Sequence, residues 1–297
     1  MSASRGAAAA IIVNEGAGSA RTDRVRRTVA LIRSRLDADR HVVATRDAAE
    51  LEAWMRERIG PYRRLIIVGG DGTLGVAYNA TAERSDIVLG YVPAGFGNAT
   101  AHLLRLPRNP EELADLVVDG EARPVDLVAV DGRLSLFVGA GWDARVARRY
   151  ADGGARRLIG WGQAVVASVP DLWRQMSLEV RADGWRVHRG PAELLVVSTT
   201  PFYGRGLRVN PGARPDAGRL VLRVYPASVP ALAAESARWL FRARPKARPI
   251  VARHVELQTT DERPLPVQAD GDDLGERPGW QLELRPAAVR LIGRWLD

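Results

Sequence analysis

The chain has 297 residues, 46% of them hydrophobic and 26% charged, enough for one or two full cores and better suited to a two-domain enzyme than to a small binding module. It contains no cysteine, which excludes disulfides, thiolate zinc sites and cysteine nucleophiles, and its four histidines lack paired spacing, so any metal would be a hard ion held by oxygen. The formal charge of +8 comes almost wholly from arginine, Lys246 being the single lysine. Such an excess suits nucleic acid, an anionic membrane surface or a phosphorylated ligand, and equally a solvated basic face. No zinc finger, RNA-binding aromatic motif or convincing helix-turn-helix supports nucleic acid.

The apolar run from Ala7 to Val13 is too short for a secretory signal and reads as a first strand ending at Asn14 and a Gly-rich turn. Thr22 to Leu36 follows, with Val25, Val29, Ile32 and Leu36 at helical spacing. His41 to Ala44 predicts a second strand, Ala48 to Ile59 a helix, Arg64 to Val68 a third strand, Gly72 to Thr81 a helix and Ile87 to Val92 a fourth strand ending at Pro93. This alternation predicts a parallel α/β sheet with right-handed crossovers.

Beyond about residue 122 the texture changes. Strand-like segments at 125–130, 133–139, 177–182, 185–188, 192–199, 219–225, 254–259, 265–269 and 280–284 are separated by turns such as Asp131-Gly132 and Asp183-Gly184. Two helical insertions are read at Arg156 to Met176 and Pro230 to Phe241. The fold class is thus α/β: a parallel α/β domain is expected over residues 1–122, then a mainly antiparallel β-rich domain over 123–287, and a ligand cleft between them is the natural place for chemistry.

Leu65-Ile66-Ile67-Val68 runs straight into Gly69-Gly70-Asp71-Gly72-Thr73, a sharp turn at the carboxyl end of a buried strand and just before a helix, where anions bind in such sheets. Glycines let backbone N–H groups approach phosphate oxygens, and Thr73 can cap the helix or donate its hydroxyl. A carboxylate beside phosphates is repelled unless it shares a magnesium ion or accepts a proton or hydrogen bond, so Asp71 argues for a metal or catalytic task. A tight turn that merely contains Gly and Asp is the competing reading. Asn14 to Ser19 and Pro93 to Asn98 also follow strands, and Thr45 follows another, so these loops should converge on one sheet edge. Asn14 as a bare turn residue and Thr45 as a bare helix cap stay open.

Six ordered segments resemble the diacylglycerol kinase catalytic family, which includes sphingosine kinases and bacterial lipid kinases. They are Asn14 to Gly18, Gly69 to Thr73, Pro93-Ala94-Gly95-Phe96-Gly97-Asn98-Ala99, Gly141-Trp142-Asp143-Ala144, Asn210 to Gly218, and Asp270-Gly271-Asp272. The resemblance implies ATP and Mg2+ as cofactors and transfer of the terminal phosphate to a lipid hydroxyl. Its nucleotide contacts fall on Asn14, Thr45, Gly69, Gly70, Asp71, Gly72, Thr73, Leu74, Gly75, Gly95, Phe96 and Asn98. Asp71 would organise magnesium, Asp216 would hold a second metal, Trp142 and Asp143 would meet the acceptor, and Asp272 would be the base in place of the family's Glu, one methylene shorter, with Asp273 as a substitute. Residues near Ala288 to Leu296 would return to the first domain. Departures fall at Gly75 for Asn, Phe96 for Thr, Ala99 for Asp, and Ala217 for a carboxylate.

For the acceptor, Trp161, Val165, Val166, Val169, Leu172 and Trp173 form either one wall of a lipid slot or ordinary core. Trp239, Leu240 and Phe241, flanked by Arg238, Arg242 and Arg244, suit an anionic interface or a solvated helix face. No apolar stretch reaches the roughly 20 residues that cross a bilayer. The expectation is a cytoplasmic enzyme in transient, peripheral membrane contact, binding no nucleic acid, with a homodimer open. A kinase for NAD or another small metabolite, and a catalytically weak lipid- or nucleotide-binding member, remain alternatives.

Overall fold

A computed structural model describes residues 8–36, 42–82, 84–153, 158–173, 176–204, 206–225, 228–261 and 263–295, with only the backbone of 158, 159 and 173. Ala7, His41, Arg156 and Leu296, which bound expected segments, lie outside the described residues, as does the Trp173 side chain. The chain divides into two compact units: residues 1–125 with 287–297, and residues 126–286. The division falls inside a strand that runs from Ala122 to Val130, because the proline-containing stretch at its start continues without a turn into the apolar run Val125 to Val130.

In the first unit, β1 (Ala8–Asn14), α1 (Asp23–Leu36), β2 (Val42–Thr45), α2 (Ala48–Arg58), β3 (Tyr62–Gly69), α3 (Asp71–Thr81) and β4 (Val88–Pro93) alternate as expected. Leu65, Ile66, Ile67 and Val68 are fully buried, since a parallel strand covered on both faces has no solvent side. In α1 the buried residues are Val25, Thr28 and Ile32, with Val29 and Leu36 packed against the core at its margin. Asp47 caps α2, accepting the Glu50 N–H at 2.9 Å. α4 (Ala99–Leu103) and α5 (Pro110–Asp119) complete the unit; Asn109 and Pro110 form a cap-and-first-turn signal that the periodicity reading passed over. The strand order is β2-β1-β3-β4, all parallel. Because β2 and β3 lie on opposite sides of β1, the loops leaving β1 and β3 part at a topological switch point.

The second unit begins within β5 (Ala122–Val130). It continues through β6 (Arg133–Ser135), β7 (Phe137–Gly141), α6 (Trp142–Asp152), α7 (Leu158–Ala167) and a 3-10 turn (Val169–Trp173). β8 (Met176–Ala182), β9 (Trp185–Ala192), β10 (Leu194–Ser198), β11 (Leu220–Tyr225), α8 (Val229–Leu240), β12 (Ile250–Ala252), β13 (His254–Thr259), β14 (Leu265–Ala269), β15 (Asp272–Arg277) and β16 (Gly279–Ile292) follow. One antiparallel sheet runs β12-β11-β10-β7-β14-β15. β13 pairs with β8 on one side and with the start of β16 on the other, and a core of Val138, Leu195, Leu222, Val255, Leu257 and Leu282 fills the unit.

Three differences from the sequence reading have definite physical causes. The single strand expected over 133–139 breaks at Leu136, whose N–H and that of Phe137 both donate to the Asp270 carboxylate. The strand expected over 280–284 extends to Ile292: the alternation of Trp280, Leu282 and Leu284 lapses at Arg285-Pro286-Ala287, where Ala287 takes φ +49°, while the strand itself continues. β15 is polar, exposed and lies at a sheet edge, so it carries no apolar signal. The end of β16 lies parallel beside β4, Leu291 opposite Leu89, and Arg294 N–H donates to Leu104 O at 2.9 Å within the first unit.

Candidate active site

Four loops of the first unit are stitched together at the carboxyl ends of their strands. Glu15 N–H donates to Thr45 O at 2.8 Å, Ser19 N–H to Ala94 O at 2.8 Å and Ala94 N–H to Gly69 O at 2.7 Å. Across the switch point Asn14 Nδ2 donates to Thr73 Oγ1 at 2.9 Å, leaving the Thr73 hydroxyl proton free to point elsewhere. Gly70 and Gly95 touch backbone to backbone: a β-carbon on Gly95 would stand 2.4 Å from the Gly70 Cα. Around Gly72 and Gly75, by contrast, an added β-carbon meets nothing within 4 Å. α3 starts at Asp71 with Gly70 as its cap residue and no side chain capping its first turn, so its N–H dipoles remain available to an anion.

Asp71 follows one of the alternatives read from its position. Its two oxygens accept the N–H groups of Ala99 (2.8 Å) and Thr100 (3.1 Å), so the carboxylate caps α4 as well as facing the loop. Burial raises its pKa, and those two N–H groups oppose the rise. Asn98, in the left-handed region at φ +48°, accepts from Tyr91 Oη and Gly95 N–H, each at 3.0 Å, and donates to Gly95 O at 2.8 Å. Its amide thus braces the loop that carries Gly95 and the half-buried Phe96. Thr45 Oγ1 is buried without a hydrogen-bond partner among the described residues. The Leu74 side chain lies in the core and its N–H donates to Gly70 O at 3.1 Å.

The second unit gathers a separate polar cluster. Asp143 lies in the first turn of α6, and its Oδ2 accepts from the Tyr203 hydroxyl and from Gln268 Nε2 (3.0 Å). Oδ1 is buried with no partner among the described residues. A β-carbon on Gly139 would lie 1.7 Å from Oδ2, so only glycine leaves room for this arrangement. Burial pushes the Asp143 carboxyl up to about 6 against the opposing pull of Tyr203 and Gln268. Gln268 Oε1 accepts Gly271 N–H at 2.7 Å, which ties Asp143 to the Asp270-Gly271 turn. Sequence reading missed Tyr203 and Gln268; the available signal for Gln268 was a single polar residue inside an apolar strand, which needs partners when buried.

The remaining expected residues are placed as follows. Asp272 opens β15 with its carboxylate on the Arg133 guanidinium, and Asp273 takes a two-pronged bond from Arg148 at 2.7 and 3.2 Å. Trp142 donates its indole N–H to Ser168 O at 2.8 Å and packs on a core with Leu194 and Trp239. Asp216 pairs with Arg214 at 3.2 Å. In the helical insertion Leu172 is buried while Trp161, Val166 and Val169 are exposed.

Among the described residues no three His, Asp or Glu side chains gather closely enough to hold a metal ion alone. Magnesium in phosphoryl-transfer sites takes only one or two protein carboxylates and fills its shell with phosphate and water, so the single carboxylate of Asp71 fits it. At Asp216 a metal would have to displace Arg214.

By fold, the chain joins a parallel α/β unit with switch-point glycine loops to an antiparallel β unit, as the diacylglycerol kinases do. A crystal structure of a diacylglycerol kinase from Bacillus anthracis str. Sterne superposes with a TM-score of 0.76 at 22% identity, over 97% of each chain. An NAD kinase from Archaeoglobus fulgidus in complex with ATP superposes at 0.54 and 17% identity, over 96% of this chain and 92% of that one. Residues 8–130 match the diacylglycerol kinase catalytic domain, and residues 136–293 match the YegS C-terminal NAD kinase beta sandwich-like domain. The protein belongs to the bacterial diacylglycerol kinase and YegS-like lipid kinase family. Among its relatives, the diacylglycerol kinase of Mycobacterium tuberculosis is 29% identical over 250 residues, 77% of this chain and 76% of the relative. A probable lipid kinase YegS-like of Klebsiella pneumoniae (strain 342) is 25% identical over 297 residues, 95% of each.

Proposed function

We propose that this protein transfers the γ-phosphoryl group of ATP to a hydroxyl of a lipid. The observation that carries the proposal is the glycine cradle at the switch point: Gly70 pressed on Gly95, open space at Gly72 and Gly75, and the uncapped start of α3 beneath. In this reading the N–H groups of Gly70, Asp71, Gly72 and Thr73 and the Thr73 hydroxyl take the phosphates. Asn14 orients that hydroxyl, and Asn98 holds Gly95 and Phe96 in place. Gly69, Gly75 and Thr45 shape the cradle rather than bond the nucleotide. Magnesium, when bound, neutralises phosphate charge, and Asp71 is the carboxylate assigned to it. Asp272 is assigned the acceptor's proton and is oriented by Arg133.

The acceptor contact is assigned to Asp143, whose unpartnered Oδ1 calls for a hydroxyl or ammonium donor. Trp142, its neighbour in the chain, is held by its indole N–H on Ser168 O at 2.8 Å. The exposed Trp161, Val166 and Val169 favour an apolar acceptor and peripheral membrane contact.

The test is transfer from labelled ATP with magnesium to lipid extracts and to soluble metabolites, with Asp71→Asn and Asp272→Asn alongside. Label in an organic-phase product, lost in both variants, is the expected result. Label only in water-soluble products would move the protein to the metabolite kinases, the reading that the NAD kinase likeness favours. ATP binding without transfer to either would make it a binding protein.

A further inference from the structure

Between Glu235 and Glu256 the sequence holds six basic residues, Arg238, Arg242, Arg244, Lys246, Arg248 and Arg253, and no Asp or Glu. Elsewhere arginine is commonly neutralised, as in Arg84 with Asp86, Arg123 with Glu121 and Arg148 with Asp273. Among the described residues Arg242, Arg244, Lys246 and Arg248 are exposed and enter no ion pair. At the head of this stretch α8 ends in Leu240 and Phe241, 67% and 80% exposed. Two adjacent large apolar side chains so exposed lose free energy in water unless something covers them.

The tip that presents them is firmly built. Trp239, one residue earlier, is buried, its ring edge-on to Tyr225 at 5.2 Å. The N–H groups of Phe241, Arg242 and Ala243 return to Ala237, Trp239 and Arg238 carbonyls. Lys246 N–H donates to Glu235 Oε1 at 2.8 Å, Arg238 reaches Arg244 O at 3.3 Å, and the Arg223 guanidinium holds Ala247 O. The apolar pair is therefore presented by a hydrogen-bonded turn.

We infer that the α8 tip is a membrane-docking prong: Leu240 and Phe241 enter an anionic bilayer while Arg242, Arg244, Lys246 and Arg248 engage lipid phosphates around them. An aromatic and an aliphatic side chain give the apolar signal and the unpaired cations give the electrostatic one, and stable peripheral binding takes both. Guanidinium groups suit phosphate because their paired N–H donors match its oxygens. Nucleic acid fits less well, since Leu240 offers a base no stacking face and a projecting helix end is not a groove that tracks a backbone.

The experiment is flotation of the full chain, without ATP, on vesicles of phosphatidylcholine alone and of phosphatidylcholine with phosphatidylglycerol at roughly two to one. Binding to the mixed vesicles, falling as salt rises, is the expected result. Phe241→Asp should lower partitioning about tenfold or more. Arg242→Gln and Arg244→Gln, which leave the backbone bonds of the turn in place and change only exposed side chains, should each lower it about fivefold. Trp185→Ser, which removes another exposed ring, on β9, should leave it unchanged, and matching thermal transitions would show all variants folded. Absence of binding to mixed vesicles, or wild-type binding by Phe241→Asp and by the arginine variants, would overturn the inference. Displacement of vesicles by short duplex DNA that binds equally well to Phe241→Asp would assign the patch to nucleic acid instead.

Discussion

Two glycines of the cradle separate packing from ligand binding. A methyl group on Gly95 collides with the Gly70 backbone at 2.4 Å, so Gly95→Ala must push two loops apart, at a cost of about 1–3 kcal/mol. Gly72→Ala meets nothing, so its stability should stay within about 0.5 kcal/mol of wild type, while the new methyl occupies the space assigned to phosphate. Denaturant midpoints together with nucleotide titration check both: Gly95→Ala should lose stability and affinity, Gly72→Ala affinity alone. Unchanged affinity in Gly72→Ala would move the phosphates elsewhere.

Asp143 supplies a pH prediction. Its carboxyl titrates at about 6 in the folded chain, against about 3.9 in an unfolded one. The native state holds the proton more tightly, so this contribution to stability is full below about pH 4 and is lost as pH rises through about 6. Asp143→Asn cannot ionise and should overtake wild type above that pH, by about 1–3 kcal/mol at roughly 1.4 kcal/mol per pKa unit. It should also lose acceptor turnover. Urea unfolding at acid and neutral pH tests the first part, and a pH-independent difference would reject it.

At the scale of elements, much of the second unit's geometry passes through one turn. Asp270 and Gly271, at φ +51° and +96°, join β14 to β15, and the Asp270 carboxylate receives the Leu136 and Phe137 N–H groups that start β7. Asparagine tolerates the same backbone, and its one oxygen can serve both N–H groups as Oδ1 does, but it is uncharged and puts an NH2 donor against the Leu136 N–H that Oδ2 also accepts. Asp270→Asn should therefore cost about 1–3 kcal/mol and raise amide exchange at Leu136 and Phe137, with the Asp131-Gly132 hairpin unaffected. Asp131-Gly132 and Asp183-Gly184 were legible as turns, because a left-handed pair of residues has few sequence solutions, whereas Asp270-Gly271 was marked by the family resemblance. The break at Leu136 was not legible, since its cause lies at Asp270, far along the chain. α6 was passed over for a related reason: Ala144 and Val146 are its only buried residues, too few to show a period.

Across the whole molecule, a ligand that binds only the native state stabilises it by mass action. At a free concentration of about one hundred times its Kd, a nucleotide should add about 2.7 kcal/mol. Hydrogen exchange should place the new protection at residues 14–19, 69–75 and 94–100, where the strand-end loops meet. Protection confined to the second unit would contradict the assignment of the cradle. The same loops show how far the sequence could be read. Strand-terminal position and glycine content marked each loop separately. That Asn14 bonds Thr73, that Gly95 lies on Gly70 and that Asp71 caps α4 are facts of distance between segments.

The sequence by itself determined the alternation of strands and helices, the change to β structure, the hairpin turns and the family resemblance, because periodicity, turn chemistry and short motifs are local properties of a chain. Only the tertiary structure decided that Gln268 and Tyr203 hold Asp143, that Leu74 belongs to the core and that β16 finishes beside β4. It also decided that Leu240 and Phe241 stay in solvent. Hydrogen bonding and burial are settled by what else reaches the same place, and residues far apart in the chain reach it only once the sheets have formed.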